Sequence, residues 1–439
     1  MFSARAGFEY AGGTDVSKIY WYGAIDLKQN GNSSQHAVTN GSIKIINGAP
    51  YVFGYGDANA QSRAYIAKID DYQGVITQYI VWPDGNSTTT DWVVDIAIDT
   101  NGYVHVIFSS GAVLERYTSS FVLSQAIILS SAVGDSRKIV ADNAGYIYVL
   151  TDNSYIVKLN GSNYSVVWSM SYTFPAPSIQ QSEFKIDSNN NLFILENNKL
   201  IKINSSNGAI IWQKVFSYIN SAQPSTMCFD GSNNIYVCQS DTLLQINNST
   251  GAKNYEYFVI FTNQININNL CINGDNNLVI GGEGGSGYNA GVTVLGNITG
   301  TPNVLFSTSY FDSQQWSAGT YNSFNNTVTN GTNIYLSIGG PNNSANTRSV
   351  TSLLKLPISG NLVGLNNAYS YTVTSDNGSN ISFSGNITSA NSSPYPYISS
   401  SSNVTINTTS YTNTVASITT SNTTQSTTTI VPFSYGLSI

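Results

Sequence analysis

Charge is what this chain has least of. Only 9% of its 439 residues are Asp, Glu, Lys or Arg, where a soluble domain ordinarily carries about 25%. Solubility must therefore rest on amides and hydroxyls. The 17 basic and 24 acidic groups leave a net charge of −7, and no basic stripe is visible, which argues against a nucleic-acid partner. Histidine occurs twice, as His36 and His105, so a histidine-built metal site or a Ser-His-Asp triad would have to be assembled around one of these. The cysteines, Cys228, Cys238 and Cys271, form no CxxC or Cys/His spacing, and an odd number cannot pair completely within one chain. Nowhere do 18 apolar residues run together, so neither a transmembrane helix nor membrane insertion is expected. The opening stretch, MFSARAGFEYAGGTDVSK, has no uninterrupted apolar core and predicts no secretory leader.

What is abundant points to strands. Tyr occurs 29 times beside many Asn, Ser and Thr; aromatic and β-branched side chains fit a pleated surface, while Asn and Ser stabilise turns. Little helix is expected. Within that background one phrase returns. Asp99-Thr-Asn-Gly-Tyr-Val-His-Val, Asp142-Asn-Ala-Gly-Tyr-Ile-Tyr-Val, Asp187-Ser-Asn-Asn-Asn-Leu-Phe-Ile, Asp230-Gly-Ser-Asn-Asn-Ile-Tyr-Val and Asn273-Gly-Asp-Asn-Asn-Leu-Val-Ile follow one another at spacings of 43, 45, 43 and 43. In each, an Asp or Asn caps its own backbone, Gly or Asn accepts the left-handed conformation, and an alternating strand begins. Another strand precedes each turn, as in DWVVDIAI (91–98) and SRKIVA (136–141), so the two make a hairpin. A third follows in register, as YIAKID (65–70), YIVKLN (155–160), KLIKIN (199–204) and TLLQIN (242–247), and a fourth carries VVW to Trp168 or IIW to Trp212. Four antiparallel strands in each 43–45 residues is the period of a β-propeller blade.

SIKIINGAPYVFGYG (42–56) with RAYIAKIDDYQGVITQYIVW (63–82) makes a first blade, and TNGTNIYLSIGG (329–340) with TSLLKLPISGNLVG (351–364) a last, for about seven in all. The reading is an all-β chain: an N-terminal arm over 1–41, a propeller of four-stranded blades over 42–370, and an uncharged β tail for assembly over 371–439. An open ring leaves unpaired sheet edges, so SKIYWYGAIDL (17–27) is expected to close it by pairing with the last blade. In the tail Asp376 is the only charged residue, and short alternations of Val, Ile, Phe and Tyr with Ser and Thr predict strands rather than disorder. Such charge-free edges are hazardous alone in solution, and another subunit is expected to cover them.

The phrases KLNGSNYSVVW, KINSSNGAIIW and KIDDYQGVITQYIVW, with the glycine-rich GGEGGSGYNAGVTVL (281–295), resemble the repeats of bacterial quinoprotein-like β-propellers over roughly residues 42–364. The resemblance implies the fold and leaves activity open, because propellers host enzymes, lectins, scaffolds and adhesins. In composition the chain resembles bacteriophage virion surface proteins, particularly tail or fibre components. That resemblance implies a non-enzymatic virion structural protein: a tail, fibre or capsid-surface component that uses the propeller as a display and recognition platform and the tail for docking. It would sit in multiple copies in a symmetric assembly, with other virion proteins and a host surface glycan or receptor as partners. The alternative is a secreted or cell-surface adhesin or glycan-binding propeller.

Gly282-Glu-Gly-Gly-Ser-Gly287 satisfies GxGxxG, but a strand follows it where a dinucleotide site needs a helix N-terminus; it reads as a strand-connecting loop. The Asp-rich turns lack the glutamate of an EF-hand and read as capped turns. A quinoprotein enzyme needs acidic and basic groups converging on a cofactor and calcium, and none can be named here, so no cofactor, metal or catalytic residue is assigned. Lys158, Lys202 and Lys355 share one strand phase and read as strand residues with solvated ends. His105 falls at the phase of Tyr148, Phe193 and Tyr236 and reads as a packing residue; Cys228 and Cys271 read as equivalent buried positions in neighbouring units. Trp168 and Trp212 also share a phase and suit packing between blades. Trp92 and Trp316 are the candidate glycan or receptor contacts, since an exposed ring beside amides makes a carbohydrate platform.

Overall fold

The computed structural model describes residues 2–7, 22–27, 36–58, 61–71, 76–82, 92–109, 112–129, 133–172, 183–196, 199–216, 226–239, 242–261, 265–284, 289–299, 302–312, 323–341, 348–357, 371–376, 381–384, 392–393, 401–403 and 409–410. These hold no α-helix. Two strands, β1 (Phe2–Gly7) and β2 (Tyr22–Leu27), come first and belong to the last blade. Blade 1 is β3 (His36–Ile46), β4 (Ala49–Ala58), β5 (Gln61–Ile69) and β6 (Ile76–Val81). Blade 2 is β7 (Val93–Ile98), β8 (Val104–Phe108), β9 (Val113–Tyr117) and β10 (Leu123–Ile128). Blade 3 follows with β11 (Ser136–Ala141), β12 (Tyr146–Thr151), β13 (Tyr155–Asn160) and β14 (Val166–Tyr172). Blade 4 is β15 (Glu183–Ile186), β16 (Leu192–Glu196), β17 (Lys199–Ile203) and β18 (Ile210–Phe216). Blade 5 takes β19 (Thr226–Phe229), β20 (Ile235–Gln239), β21 (Thr242–Ile246) and β22 (Lys253–Phe261). Blade 6 is β23 (Ile265–Ile272), β24 (Leu278–Gly284), β25 (Asn289–Gly296) and β26 (Asn303–Asp312). Blade 7 joins β27 (Ser323–Thr329), β28 (Asn333–Pro341) and β29 (Arg348–Pro357) to β2, which pairs antiparallel with β29 from Tyr22↔Leu354 to Ile25↔Thr351.

Seven four-stranded blades thus form a wheel. First strands touch their counterparts in the next blade, β27 against β3 and β23, β11 against β7 and β15, as strands nearest a common axis must. The core lies between blades, which explains why the second strands are apolar at successive positions instead of alternating. In β12, Ile147 and Val149 pack with Ile107 and Leu114 of blade 2, while Tyr148 and Leu150 pack with Phe184 and Ile194 of blade 4. Each such fully buried aliphatic side chain contributes about 1.5–3 kcal/mol. The same layer joins the ends of the ring: Tyr335 and Leu353 of blade 7 pack with Ile43, Val52 and Tyr65 of blade 1.

The tail forms no module of its own among the described residues. β30 (Tyr371–Asp376), β31 (Ile381–Ser384), β32 (Ser392–Ser393), β33 (Ser401–Asn403) and β34 (Thr409–Ser410) pair antiparallel with β26, β22, β18, β14 and β10 in that order. The chain therefore runs back around the wheel from blade 6 to blade 2, adding a fifth strand to each, while β1 does the same for blade 7. One edge of each tail strand is thus covered by the chain's own blade. A bulge recurs near the start of the outer strand in blades 1 to 6, displacing Thr77, Ser124, Val167, Ile211, Asn254 and Leu305 from the ladder. Bulges bend a strand and increase its twist; the fifth strands pair only beyond them.

Candidate functional site

The repeated turn builds the most ordered polar system of the molecule. Asp142 Oδ1 accepts from the amides of Ala144 and Tyr146 at 2.9 and 2.8 Å, and Oδ2 accepts from the Tyr148 hydroxyl at 2.7 Å. The same double cap recurs at Asp99, Asp187, Asp230 and Asn273. The residue three places on has positive φ in every case: Gly102, Gly145, Asn190, Asn233 and Asn276. Only Gly or Asn adopts that conformation cheaply, which is why the phrase alternates between those two. Blade 1 replaces the loop by the two-residue Asn47-Gly48 turn, both with positive φ, the geometry that matches hairpin twist.

In blades 2, 3, 4 and 7 a cation reaches across to the next blade. Lys158 Nζ and Trp168 Nε1 both donate to the Ser205 carbonyl of blade 4, each at 3.0 Å. Lys202 and Trp212 donate to the Asn248 carbonyl of blade 5 at 3.2 and 2.9 Å. Arg116 donates to the Gly161 carbonyl of blade 3 at 2.7 Å, and Lys355 of blade 7 donates to the Asp71 carbonyl of blade 1 at 2.7 Å while pairing with its carboxylate at 3.0 Å. The lysine heads are therefore buried ties between blades, contrary to the expectation of solvated ends. Burial lowers the pKa of Lys158 and Lys202, opposed by the charges of Asp142 and Asp187. In blade 6 the Asp, Tyr and Lys of this system become Asn273, Val279 and Val294: carboxylate and cation disappear together, and the cap survives.

A second set of ties lies at the first strands, nearest the axis. Lys44 of blade 1 pairs with Asp95 of blade 2 at 2.6 Å, and Asp95 Oδ2 accepts from the Ile139 amide of blade 3 at 3.1 Å. Thr226 accepts from the Leu270 amide of blade 6 at 3.2 Å, and Asn326 of blade 7 donates to the Ile43 carbonyl of blade 1 at 3.0 Å. Lys185 donates to the Met227 carbonyl of blade 5. These charged groups, among the described residues, lie where blades meet.

His105 is a packing residue within the blade 2 turn. Its Nδ1 lies 2.8 Å from the Tyr164 hydroxyl and its Nε2 3.2 Å from Asp99 Oδ2. Burial pushes the imidazole pKa down, with the Asp99 hydrogen bond and charge opposing, so the neutral ring accepts from Tyr164 and donates to Asp99. For Asp99, burial favours the acid form, but bonds from His105, Tyr103 and Asn101 outweigh it and hold the carboxyl below its usual range. Both folded-state pKa values are depressed, so both groups bind protons more readily once unfolded, and stability must fall with pH. The His105 share is lost as pH falls below about 6.5, that of Asp99 below the ordinary carboxylate range. We predict a thermal midpoint that declines between pH 7 and 5, and a flat profile over that window in His105→Gln; an unchanged slope in the variant would refute the assignment.

Trp92 is half-buried, and its backbone exchanges bonds with Ser109: its amide donates to Oγ at 3.1 Å and its carbonyl accepts from the Ser109 amide at 3.0 Å. Trp316 lies outside the described residues, as do 83–91, 173–182 and 217–225, which join one blade to the next. Cys228 and Cys238 are buried, Cys271 is half-buried, and all three are free thiols; burial pushes Cys271 up to about 12. The glycine-rich segment is a hairpin connection, with β24 and β25 paired up to Gly284↔Asn289. No group of three or more metal-ligating side chains occurs among the described residues. Sequence reasoning missed the ties from cation to carbonyl; the shared Lys and Trp phases were their only signal.

No family model matches the chain, and no curated protein sequence is similar to it. Solved structures are similar in fold. Virginiamycin B lyase from Staphylococcus aureus aligns at 14% identity over 76% of this chain and 99% of that one, with a TM-score of 0.50. BamB from Moraxella catarrhalis aligns at 13% identity over 72% of this chain and 96% of that one, with a TM-score of 0.46. At such identity the likeness to the lyase carries the fold and nothing finer. By its seven four-stranded blades, the chain is an all-β propeller.

Proposed function

We propose that this chain is a non-enzymatic structural protein of a bacteriophage particle, a tail, fibre or capsid-surface component, in which a rigid wheel displays recognition loops and its rim docks into the assembly. The observation that carries the reading is the chemistry of that rim. Asp376 is the only charge between residues 371 and 410, and among the described residues the fifth strands β30 to β34 end their sheets. Each turns a row of backbone donors and acceptors outward, the template on which a neighbouring strand adds. Short contacts of this kind are weak singly and gain by multiplicity in a symmetric particle. The cations described above are engaged between blades, which supports a scaffold over a catalyst. We place the repeats with the quinoprotein-like type, by their Lys-Ile/Leu-Asp/Asn…Gly…Ile…Trp phrase, without the cofactor chemistry.

The second reading, a secreted or cell-surface glycan-binding adhesin, draws on Trp92, a half-buried indole beside the blade 2 entry. Untagged native protein separates the two. Co-sedimentation with virions is the expected result, and sedimentation with a cell envelope, with glycan binding abolished in Trp92→Ala, favours the adhesin. A bound chromophore with turnover of alcohols or sugars would overturn both.

A further inference from the structure

One tie between blades brings together three groups that can react with one another. Lys202 Nζ of β17 donates to Asn248 of blade 5 twice, to its main-chain carbonyl at 3.2 Å and to its side-chain Oδ1. The Nδ2 of the same carboxamide donates to Asp187 Oδ2 at 3.1 Å, and that carboxylate oxygen lies 3.9 Å from Lys202 Nζ. Amine, carboxamide and carboxylate thus close a triangle. Its neighbours fix how the amide is turned, because reversing it would set its NH2 against the ammonium and its oxygen against the carboxylate. Water is kept out: the Lys202 side chain is 8% exposed, that of Asp187 0%, and the Phe193 ring lies 5.5 Å from Nζ. Both ends are held, Asn248 through its carbonyl by Trp212 Nε1 at 2.9 Å, and Asp187 by the amides of Asn189 and Asn191 at 2.9 and 2.7 Å.

The other blades lack one member each. Lys158 faces Asp142 in blade 3, but the residue it meets in blade 4 is Ser205, which has no carboxamide. Lys355 of blade 7 meets the carboxylate of Asp71, and the turn of its own blade is capped by Asn330. Blade 2 has the non-nucleophilic Arg116 at this phase, blade 5 Gln245 and blade 6 Val294. Among the described residues, the three chemistries coincide only between blades 4 and 5.

We propose that Lys202 and Asn248 join in an isopeptide bond, a covalent link between blades 4 and 5, with Asp187 carrying the protons. The Lys202 ammonium gives a proton to Asp187 Oδ2, and the freed amine adds through its lone pair to Cγ of Asn248. Asp187, now an acid, protonates Nδ2; the Cγ–Nδ2 bond breaks, ammonia leaves, and the Nζ–Cγ amide remains. The ammonia departs with the proton Asp187 took from the amine together with the remaining one shed by Nζ as ammonium, so no oxidant, reductant or cofactor is consumed. Burial lowers the Lys202 pKa against the opposing charge of Asp187, which favours the neutral nucleophile. Fixed contact replaces a chance encounter, and a dry site protects the reacting amide from hydrolysis. The link would close a loop across 46 positions of the sequence. This inference stands apart from the particle assignment and needs only the isolated protein.

Tryptic mass mapping of the folded full chain, followed over time after purification, tests it. A joined Lys202 resists trypsin, so residues 200–214 are expected whole and attached to residues 215–253, lighter than the two peptides together by one ammonia, with fragment ions placing the link at Lys202 and Asn248. Lys158 is expected to be cleaved normally, as the control inside the same protein. Lys202→Arg is expected to give no joined species. Asp187→Asn keeps the turn cap, as Asn273 does in blade 6, and is expected to slow joining by about a hundredfold. Free Lys202 throughout the time course in the folded full chain would overturn the proposal, whatever the variants do. Joining in Asp187→Asn as fast as in the unaltered chain would overturn the part given to the carboxylate.

Discussion

Deleting residues 2–28 is expected to lower the thermal midpoint by on the order of 10 °C and to broaden the transition beyond two-state unfolding. The reason lies in what β2 connects. It is the outer strand of blade 7, paired with β29, and the chain then runs directly into β3 of blade 1. Without it, blades 7 and 1 remain joined, among the described residues, by the short parallel pairing of β29 with β3 at Arg348↔His36 and Ser349↔Ala37, the Tyr335 and Leu353 contacts with Ile43 and Val52, the Asn326 bond and the bonds of Tyr335 and Lys355 to Asp71. Blade 7 is left with three strands and an exposed edge, a pairing hazard. Calorimetry of the deleted chain with and without a peptide spanning residues 17–28 checks the claim. The peptide is expected to restore part of the loss by mass action, and a midpoint within about 2 °C of the full chain would refute it.

The second large effect is expected at Asp142. Replacement by Ala strips the amides of Ala144 and Tyr146 and the Tyr148 hydroxyl of their acceptor, and removes the carboxylate facing Lys158. A loss of about 3–5 kcal/mol is expected, the range for orphaning a buried charge and its bonded groups. Asp142→Asn keeps the amide cap, as Asn273 does naturally, but loses the charge and puts an amide donor where the Tyr148 hydroxyl had its acceptor, and should cost about 1–2 kcal/mol. Adding Lys158→Val to it reproduces the Asn273/Val294 pair of blade 6, and should cost less than the sum of the two single changes. Denaturant titration of the series decides; strict additivity, or an Ala variant no worse than Asn, would argue against a coupled pair.

These effects trace how much the sequence disclosed. The blade period and the turns were legible because their information is local: Asp142 caps amides two and four residues on, and Gly145, between them, supplies the positive φ. The role of Lys158 was not. Its acceptor is the main-chain carbonyl of Ser205, 47 residues ahead in another blade, and a backbone acceptor leaves no mark in the sequence. The alternation of the tail pointed to strands, but β32 and β34 are two residues long, too short for any pattern to say which edge they meet. Of the proposed glycan contacts, Trp92 is half-buried with its backbone bonded to Ser109, and Trp316 lies outside the described residues.

The reverse course of the tail has a consequence for biosynthesis. Ribosomes deliver the blades in order and β30 to β34 after them, so blades 2 to 6 are made before the tail encircles them. Until the final stretch emerges, the outer edges of blades 2 to 6 stand bare, each ending in a strand such as Val166–Tyr172 or Ile210–Phe216. Hooping is then a late step performed by the same molecule, and it sets a window in which crowded polysomes risk joining one unfinished copy to the next.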